Sequence, residues 1–226
     1  QLFQSSQRKN RTLLKSYPNT ITTSDEIQED KMKNTVLNGS SLAGSTPSRG
    51  RVENDYYATP KTSTRLLLDV LELKGRILEP ACGEGHISEV LEEYYPDNEI
   101  ISTDLICRGY GKGEVDFLKT EYDRKFDTVI TNPPFKLMRE FTEKALEVAE
   151  DKVIMFGKIQ FLEGKGRRDF LEKSPLKYVY VFSERQNPLR NGNPLDENGK
   201  KWSSTMCFAW FVWEIGYTGE PSVRWL

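Results

Sequence analysis

The sequence predicts a doubly wound α/β domain over residues 55–226, with a mostly parallel, seven-stranded sheet and an antiparallel C-terminal hairpin. Three observations carry this expectation. Short apolar runs alternate with amphipathic helical stretches, the pattern of a parallel sheet covered by helices on both faces. The first such run leads straight into a glycine-rich loop, Ala81-Cys82-Gly83-Glu84-Gly85-His86. The last two runs, Tyr178 to Ser183 and Thr205 to Ile215, are rich in aromatics and are separated by a polar stretch instead of a helix, so they are expected to pair antiparallel.

Each element has its own local reason. Residues 1–54 are rich in Ser, Thr, Asn, Gln and Gly, basic at Arg8, Lys9, Arg11 and Lys15, then acidic at Asp25, Glu26, Glu29 and Asp30. Such a stretch buries little apolar surface and reads as a flexible polar arm. Thr59-Pro60 opens a helix in which Leu66, Leu67, Val70, Leu71 and Leu73 recur at helical spacing, and Gly75 ends it. Arg76 to Pro80 is a first strand, followed by a helix over Ile87 to Tyr95 that Pro96 stops. The second strand, Glu99 to Thr103, ends on Asp104, and a turn with Gly109, Gly111 and Gly113 leads to a short third strand, Val115-Asp116-Phe117. Phe126 to Thr131 is the fourth strand. A helix over Leu137 to Ala149 carries an apolar stripe, Lys152 to Phe156 is the fifth strand, and a charged helix spans Lys165 to Glu172. Trp202, Trp210 and Trp213 are expected in the core.

Composition narrows the class of function. Charged residues make up 29% and hydrophobic ones 37%, a soluble globular balance. No apolar run approaches the roughly 18 residues of a membrane span, and the start has no signal-peptide pattern. The chain opens on Gln1, not Met, as a fragment would. Cys82, Cys107 and Cys207 lie far apart and His86 is the single histidine, so neither a disulfide framework nor a metal site is expected, and a reducing, cytoplasmic setting is. A net charge of −2 speaks against a tight nonspecific grip on duplex DNA.

In a doubly wound sheet, ligands bind beyond the carboxyl ends of the strands, where strand order reverses. Glu79 to Gly85 stands at such a place. Gly83 and Gly85 allow close backbone approach, and the next helix start favours an anionic group. Asp104, 21 residues after Gly83, ends the second strand, where a carboxylate accepts hydrogen bonds from ribose hydroxyls. Asp116 and Phe117 suit an adenine, carboxylate to its amino group and ring to its face. A dinucleotide is the rival ligand, yet the third glycine of that fingerprint is Ser88, and Glu84 beside a pyrophosphate is unfavourable. Glu84 and Glu79 suit the amino group of an amino-acid-like tail instead. S-adenosylmethionine has a ribose, an adenine and such a tail.

Thr131-Asn132-Pro133-Pro134-Phe135 follows the fourth strand. The two prolines donate no N–H and stop the strand, leaving their carbonyls and the Asn132 side chain as acceptors beside an aromatic ring. That combination suits a planar group carrying an NH2. A strand-ending proline turn with a buried Phe is the plain alternative.

The motifs carry a resemblance. Glu79-Pro80-Ala81-Cys82-Gly83-Glu84-Gly85 resembles the cofactor loop of class I S-adenosylmethionine-dependent methyltransferases. Asn132-Pro133-Pro134-Phe135 resembles the [D/N/S]-P-P-[Y/F/W] motif of enzymes that methylate exocyclic or amide nitrogens, above all DNA adenine-N6 methyltransferases. Tyr57-Ala58-Thr59-Pro60 is similar to the Thr-Pro segment those enzymes place over the cofactor, and the closing strands with Trp202-Ser203-Ser204 look like those of small phage-type adenine methyltransferases. The likeness spans about residues 55–215. It implies a Rossmann-like methyltransferase fold, S-adenosylmethionine as cofactor, and methyl transfer to the N6 of adenine in DNA, as in restriction–modification systems. It implies cofactor contacts from Tyr57, Thr59, Pro60, Glu79, Ala81, Cys82, Gly83, Gly85, Asp104, Leu105, Asp116, Phe117 and Asn132. Asn132 Oδ1 and the Pro133 carbonyl would hold the N6 hydrogens, with Pro134 stiffening the turn and Phe135 stacking on a flipped base.

Lys158 and Gln160, after the fifth strand, and Arg185 and Asn187, in the long loop between the closing strands, are expected to face the substrate, with structural roles as the plain alternative. Cys82 lacks the Pro-Cys context of a cytosine-C5 nucleophile, and His86 is expected to pack or touch the cofactor. No stretch is left for a separate target-recognition domain, so selectivity is expected from loops, from the arm, or from a partner or second copy. RNA bases and protein glutamine suit the same Asn-Pro-Pro grip and stay open as substrates. A non-catalytic cofactor-binding module is the alternative outside enzymes.

Overall fold

The longest apolar runs of the chain become its central strands. The computed structural model describes residues 56–187, 189–190, 195, 198–199 and 206–226. The arm expected over residues 1–54 and Trp202-Ser203-Ser204 lie outside them. In chain order the strands are β1 (Tyr57–Ala58), β2 (Ile77–Glu79), β3 (Ile100–Ser102), β4 (Phe126–Thr131), β5 (Ala149–Lys158), β6 (Leu176–Val181), β7 (Leu189–Arg190), β8 (Phe208–Glu214) and β9 (Ser222–Trp225). The α-helices are α1 (Lys61–Leu68), α2 (Ser88–Tyr94), α3 (Met138–Val148) and α4 (Lys165–Lys173). The main sheet has seven strands in the order β3-β2-β4-β5-β8-β6-β9. β8 runs antiparallel to both β5 and β6, and all other pairings in this sheet are parallel. A separate two-stranded pair joins β1 to β7.

Side-chain alternation sorts the core onto the two faces. Along β8, Phe208, Trp210 and Val212 face one cluster, while Ala209, Phe211 and Trp213 face the other. β5 does the same, with Ile154 and Phe156 against Val153 and Met155. The first face is covered by Leu67 and Leu68 of α1 and Val90 and Leu91 of α2. The second is covered by Met138, Phe141, Ala145 and Val148, spaced three and four apart along α3. Both central tryptophans are fully buried and both indoles find an acceptor: Trp210 Nε1 donates to the Ser63 carbonyl at 3.0 Å and Trp213 Nε1 to Ser174 Oγ at 2.9 Å.

The doubly wound sheet with its antiparallel C-terminal pair is the architecture the sequence predicts. Three details differ. Val115-Asp116-Phe117 is a turn, not a strand: the Asp116 carbonyl accepts from the amides of Lys119 (3.1 Å) and Thr120 (2.9 Å), and its own carboxylate accepts from the Leu118 amide at 3.1 Å. An Asp that bonds to its own following backbone competes with a ladder, and here the local bonds prevail. The seventh strand is instead β9, whose four residues are exposed on both sides and so carry no alternation to read. Because β9 pairs with β6, the antiparallel pair sits inside the sheet instead of at its margin. Finally, α1 ends at Leu68, which leaves Val70 beyond it and 57% exposed. No described helix is long and apolar enough to cross a membrane.

Replacing Trp210 with Phe removes the indole donor from a fully buried site and leaves a void. Urea unfolding of Trp210→Phe is expected to show a loss of about 2–4 kcal/mol. The same change at Trp225, which is 70% exposed, serves as the control, and an equal effect at the two positions would contradict this packing role.

Candidate active site

The chain leaves β2 for β3 on one side and returns to β4 on the other, so the order reverses between β2 and β4. A cavity of about 510 Å³ opens beyond the carboxyl ends of these three strands. Its size suits a nucleoside-sized ligand with a tail. Ten of the thirteen residues expected at a cofactor meet there: Tyr57, Thr59, Glu79, Ala81, Cys82, Asp104, Leu105, Asp116, Phe117 and Asn132. Pro60, Gly83 and Gly85 stand outside the wall.

Those two glycines have a structural reason of their own. Both have positive φ, +57° at Gly83 and +85° at Gly85. A Cβ on Gly83 would lie 2.4 Å from the Tyr56 ring, and one on Gly85 would lie 2.5 Å from the Tyr110 ring. The loop is thus clasped between two tyrosines. The Tyr56 hydroxyl accepts the Glu84 amide at 3.1 Å, and the Tyr110 hydroxyl donates to Glu92 at 2.7 Å. Asp104 ties the loop to the end of β3: one carboxylate oxygen accepts the Gly83 amide and the other the Ile106 amide, each at 2.8 Å. Each oxygen keeps a second lone pair for a ligand hydroxyl.

Glu79 forms the floor and is 1% exposed. Its Oε2 accepts from the Ser88 hydroxyl, which also lies 2.6 Å from Ser102 Oγ. Burial holds the Glu79 carboxyl well above the usual carboxylate range, opposed by the Ser88 hydrogen bonds and reinforced by the charge of Asp104. Cys82 is buried nearby, and burial pushes its thiol up to about 12, so it is no thiolate nucleophile. Asp116 is engaged by Lys119 at 2.8 Å, which holds its carboxyl below the usual range. Phe117 is 2% exposed and packs on Phe141 at 5.2 Å, so it contributes core as well as wall.

At the other wall β4 ends in Asn132-Pro133-Pro134-Phe135, all four lining the cavity. Asn132 Nδ2 donates to the Tyr57 carbonyl at 2.6 Å. A carbonyl only accepts, so this bond decides the amide orientation and leaves Oδ1 as an acceptor for a ligand. The Pro134 carbonyl is used by the Leu137 amide at 2.8 Å, where a 3-10 turn begins. Only one of the two proline carbonyls, that of Pro133, has no donor among the described residues. The half-buried Phe135 ring lies near-parallel to Tyr57, centroids 6.1 Å apart, and tilted on Phe208 at 5.7 Å.

The four residues expected on the substrate side are placed differently. None lines the cavity. Lys158 reaches one residue of the wall, its ammonium 4.7 Å from the Phe135 ring centre. Gln160 lies in a 3-10 turn whose exit is braced by Arg167. Arg185 is exposed and Asn187 half-buried in the loop after β6. That loop does return to the site, because β7 pairs with β1 and Gln186 accepts from Ser63 Oγ at 3.0 Å. Among the described residues no cluster of three or more His, Cys, Asp or Glu is arranged to hold a metal. Arg108 lines the cavity and escaped the sequence reading, its guanidinium 4.2 Å over the Tyr56 ring. Its one signal in the sequence is a basic residue four positions after the strand-end acid.

Fold and site together define a class: a doubly wound α/β protein with a cavity at its topological switch point, bordered by a glycine-containing loop and an Asn-Pro-Pro-Phe turn. No family model matches the sequence. The chain is 32% identical over 115 residues to the type I restriction enzyme MjaIX methylase subunit of Methanocaldococcus jannaschii, covering 40% of this chain and 20% of that protein. It is 29% identical over 96 residues to the type II methyltransferase M.CvrRI of Paramecium bursaria Chlorella virus XZ-6E, covering 38% and 25%. It is 29% identical over 89 residues to the ribosomal RNA small subunit methyltransferase C of Haemophilus influenzae, covering 33% and 27%. The chain therefore spans about a quarter or less of the length of these relatives. Among solved structures, a predicted O-methyltransferase from Agrobacterium tumefaciens aligns with a TM-score of 0.49 at 13% identity, covering 72% of this chain and 85% of that one.

Glu79 gives a test of the cavity floor. Its carboxyl retains a proton in the folded chain that the unfolded chain releases near the ordinary value of 4.5, so stability falls as pH rises through and above that value. Glu79→Gln keeps an acceptor for Ser88 and removes this titration. Its Tm is expected to equal that of the parent below pH 4.5 and to exceed it increasingly toward neutral pH. Parallel Tm–pH curves would contradict the burial of an ionisable floor.

Proposed function

We propose that the chain is an S-adenosylmethionine-dependent methyltransferase that methylates the exocyclic N6 of adenine in DNA. The observation that carries this reading is the Asn132 amide, oriented by the Tyr57 carbonyl so that its Oδ1, together with the Pro133 carbonyl, can accept the two hydrogens of one amino group. An N6 lone pair is delocalised into the adenine ring. Two acceptors that hold its hydrogens let the nitrogen turn that lone pair out of the ring plane, so the gain is orientation and polar preorganisation.

The wall fits the cofactor in chemistry and size. Asp104 would accept the ribose hydroxyls and Asp116 the adenine amino group, while Thr59, whose buried hydroxyl has no partner among the described residues, stands free to bond to the tail. When bound, S-adenosylmethionine supplies a methyl group on an already activated sulfonium, so no side chain need act as a general base before attack. The proton lost from N6 passes to solvent. Phe135 would stack on the flipped base, which competes with the Lys158 ammonium for the ring face. A displaced ammonium there is a counter-charge for a nearby phosphate. Gln160, Arg185 and Asn187 would then act at the rim, with selectivity completed by loops, by the arm over residues 1–54, or by a partner or second copy. We assign residues 55–226 to the methyltransferase domain and a cytoplasmic setting to the protein.

The restriction-enzyme methylase and type II methyltransferase relatives favour DNA as the substrate. A second reading, an RNA base, is favoured by the ribosomal RNA methyltransferase relative. A module that bound cofactor without transfer would have no use for an oriented Asn132 beside a Pro133 carbonyl.

Tritium transfer from labelled S-adenosylmethionine to unmethylated duplex DNA, to RNA and to a protein lysate separates these readings once the products are digested. Label is expected in N6-methyladenine from DNA. Label confined to RNA or protein would overturn the substrate and keep the grip. Asn132→Ala is expected to lower transfer by about 100-fold or more while S-adenosylhomocysteine binding is largely kept. Asp104→Ala is expected to weaken that binding. Undiminished transfer by the first variant would contradict the mechanism.

A further inference from the structure

The charged groups around the cavity are not all engaged with one another. Its wall carries the carboxyl groups of Glu79, Asp104 and Asp116 but only two basic side chains, Lys119 and Arg108. Lys119 is bound to Asp116 at 2.8 Å. Arg108 makes no ion pair with any described carboxylate, and its Nε is buried with no hydrogen-bond partner among the described residues. What holds it is the face of Tyr56, 4.2 Å from its Cζ. Tyr56 in turn accepts the Glu84 amide at 3.1 Å and fills the space beside Gly83. The guanidinium is therefore stationed on Tyr56, the ring that fills the space beside Gly83 of the glycine loop.

A guanidinium presents a planar fork of donors that matches a carboxylate. Stacking on a ring fixes its plane beforehand, so less freedom is lost on binding. Resting on the cofactor reading above, we infer that Arg108 binds the α-carboxylate of the cofactor's methionine half and sets the preference for a ligand with an amino-acid tail. Asp104 and Asp116 then serve the ribose hydroxyls and the adenine amino group of the same ligand, as assigned above. Thr59 Oγ1 and His86 Nδ1, the other two buried polar atoms of this wall without a described partner, are neutral groups that can complete the contacts to that tail.

Two thioethers isolate the effect. S-adenosylhomocysteine and 5′-methylthioadenosine share adenosine and sulfur, and only the first carries the amino-acid tail. Binding of both to the native chain, to Arg108→Ala and to Arg108→Lys is measured by isothermal titration calorimetry. Arg108→Ala is expected to weaken S-adenosylhomocysteine by about 10- to 100-fold. Its affinity for 5′-methylthioadenosine is expected to stay unchanged, which also reports an intact cavity, and Arg108→Lys is expected to recover part of the loss. An equal loss for both ligands would assign Arg108 to the adenosine half or to holding Tyr56, and would overturn the inference. Unchanged binding of both would overturn it too. A native chain that bound neither ligand would instead overturn the cofactor reading itself, before any substitution is made.

Discussion

The hydrogen bond from the Asn132 amide to the Tyr57 carbonyl, 2.6 Å long, joins two parts of the chain 75 residues apart and fixes which end of that amide is already engaged. Without it the side chain of Asn132 would present NH2 or oxygen toward the cavity at random. With it, the oxygen is the group on offer. The bond depends on β1 being held in place, and β1 is held by its pairing with β7 and by the Tyr57 ring lying against Phe135. The aromatic neighbours of Phe135 continue the chain of support, since Phe208 packs on it and stacks on the fully buried Phe156 of β5. The orientation of one amide is thus anchored in the sheet's core.

The facing wall obeys a different constraint. Three carboxyl groups crowd one cavity, and each is managed by its own device. Glu79 is buried and kept protonated far above its usual range, Asp104 spends one lone pair per oxygen on backbone amides, and Asp116 is paired with Lys119. Mutual repulsion is reduced in each case without emptying the wall of acceptors. The glycine loop belongs to the same solution, because Asp104 accepts the amide of Gly83, where the backbone turns through positive φ.

Much of the sheet was legible from the sequence because its strands are buried on both faces and read as continuous apolar runs, as in Phe126 to Thr131 and in β8. The strand-end acids and the Asn-Pro-Pro-Phe turn were legible because they stand where such runs stop. β9 was not, since Ser222 to Trp225 are exposed and held by main-chain bonds that any sequence can make. The Asp116 turn was misread as a strand because a side chain accepting from the Leu118 amide leaves no mark in hydropathy. Arg108 was missed for a related reason. Its place is set by the Tyr56 ring, 52 residues earlier in the chain, and no local pattern records that contact.

By itself, then, the sequence determined the layered α/β sheet, the position of the cavity at the ends of its strands, and the chemical kinds of group around it, because periodicity and chain-breaking residues act locally. The tertiary structure decided which of those groups are available: that the Asn132 amide nitrogen is taken by Tyr57, that among the described residues the Pro134 carbonyl has a donor and the Pro133 carbonyl none, that the glycines make room for Tyr56 and Tyr110, and that Arg108 joins the wall. Each of these rests on a hydrogen bond or a ring contact, most of them between residues distant in the chain. Such contacts exist only once the sheet has brought the strand ends together.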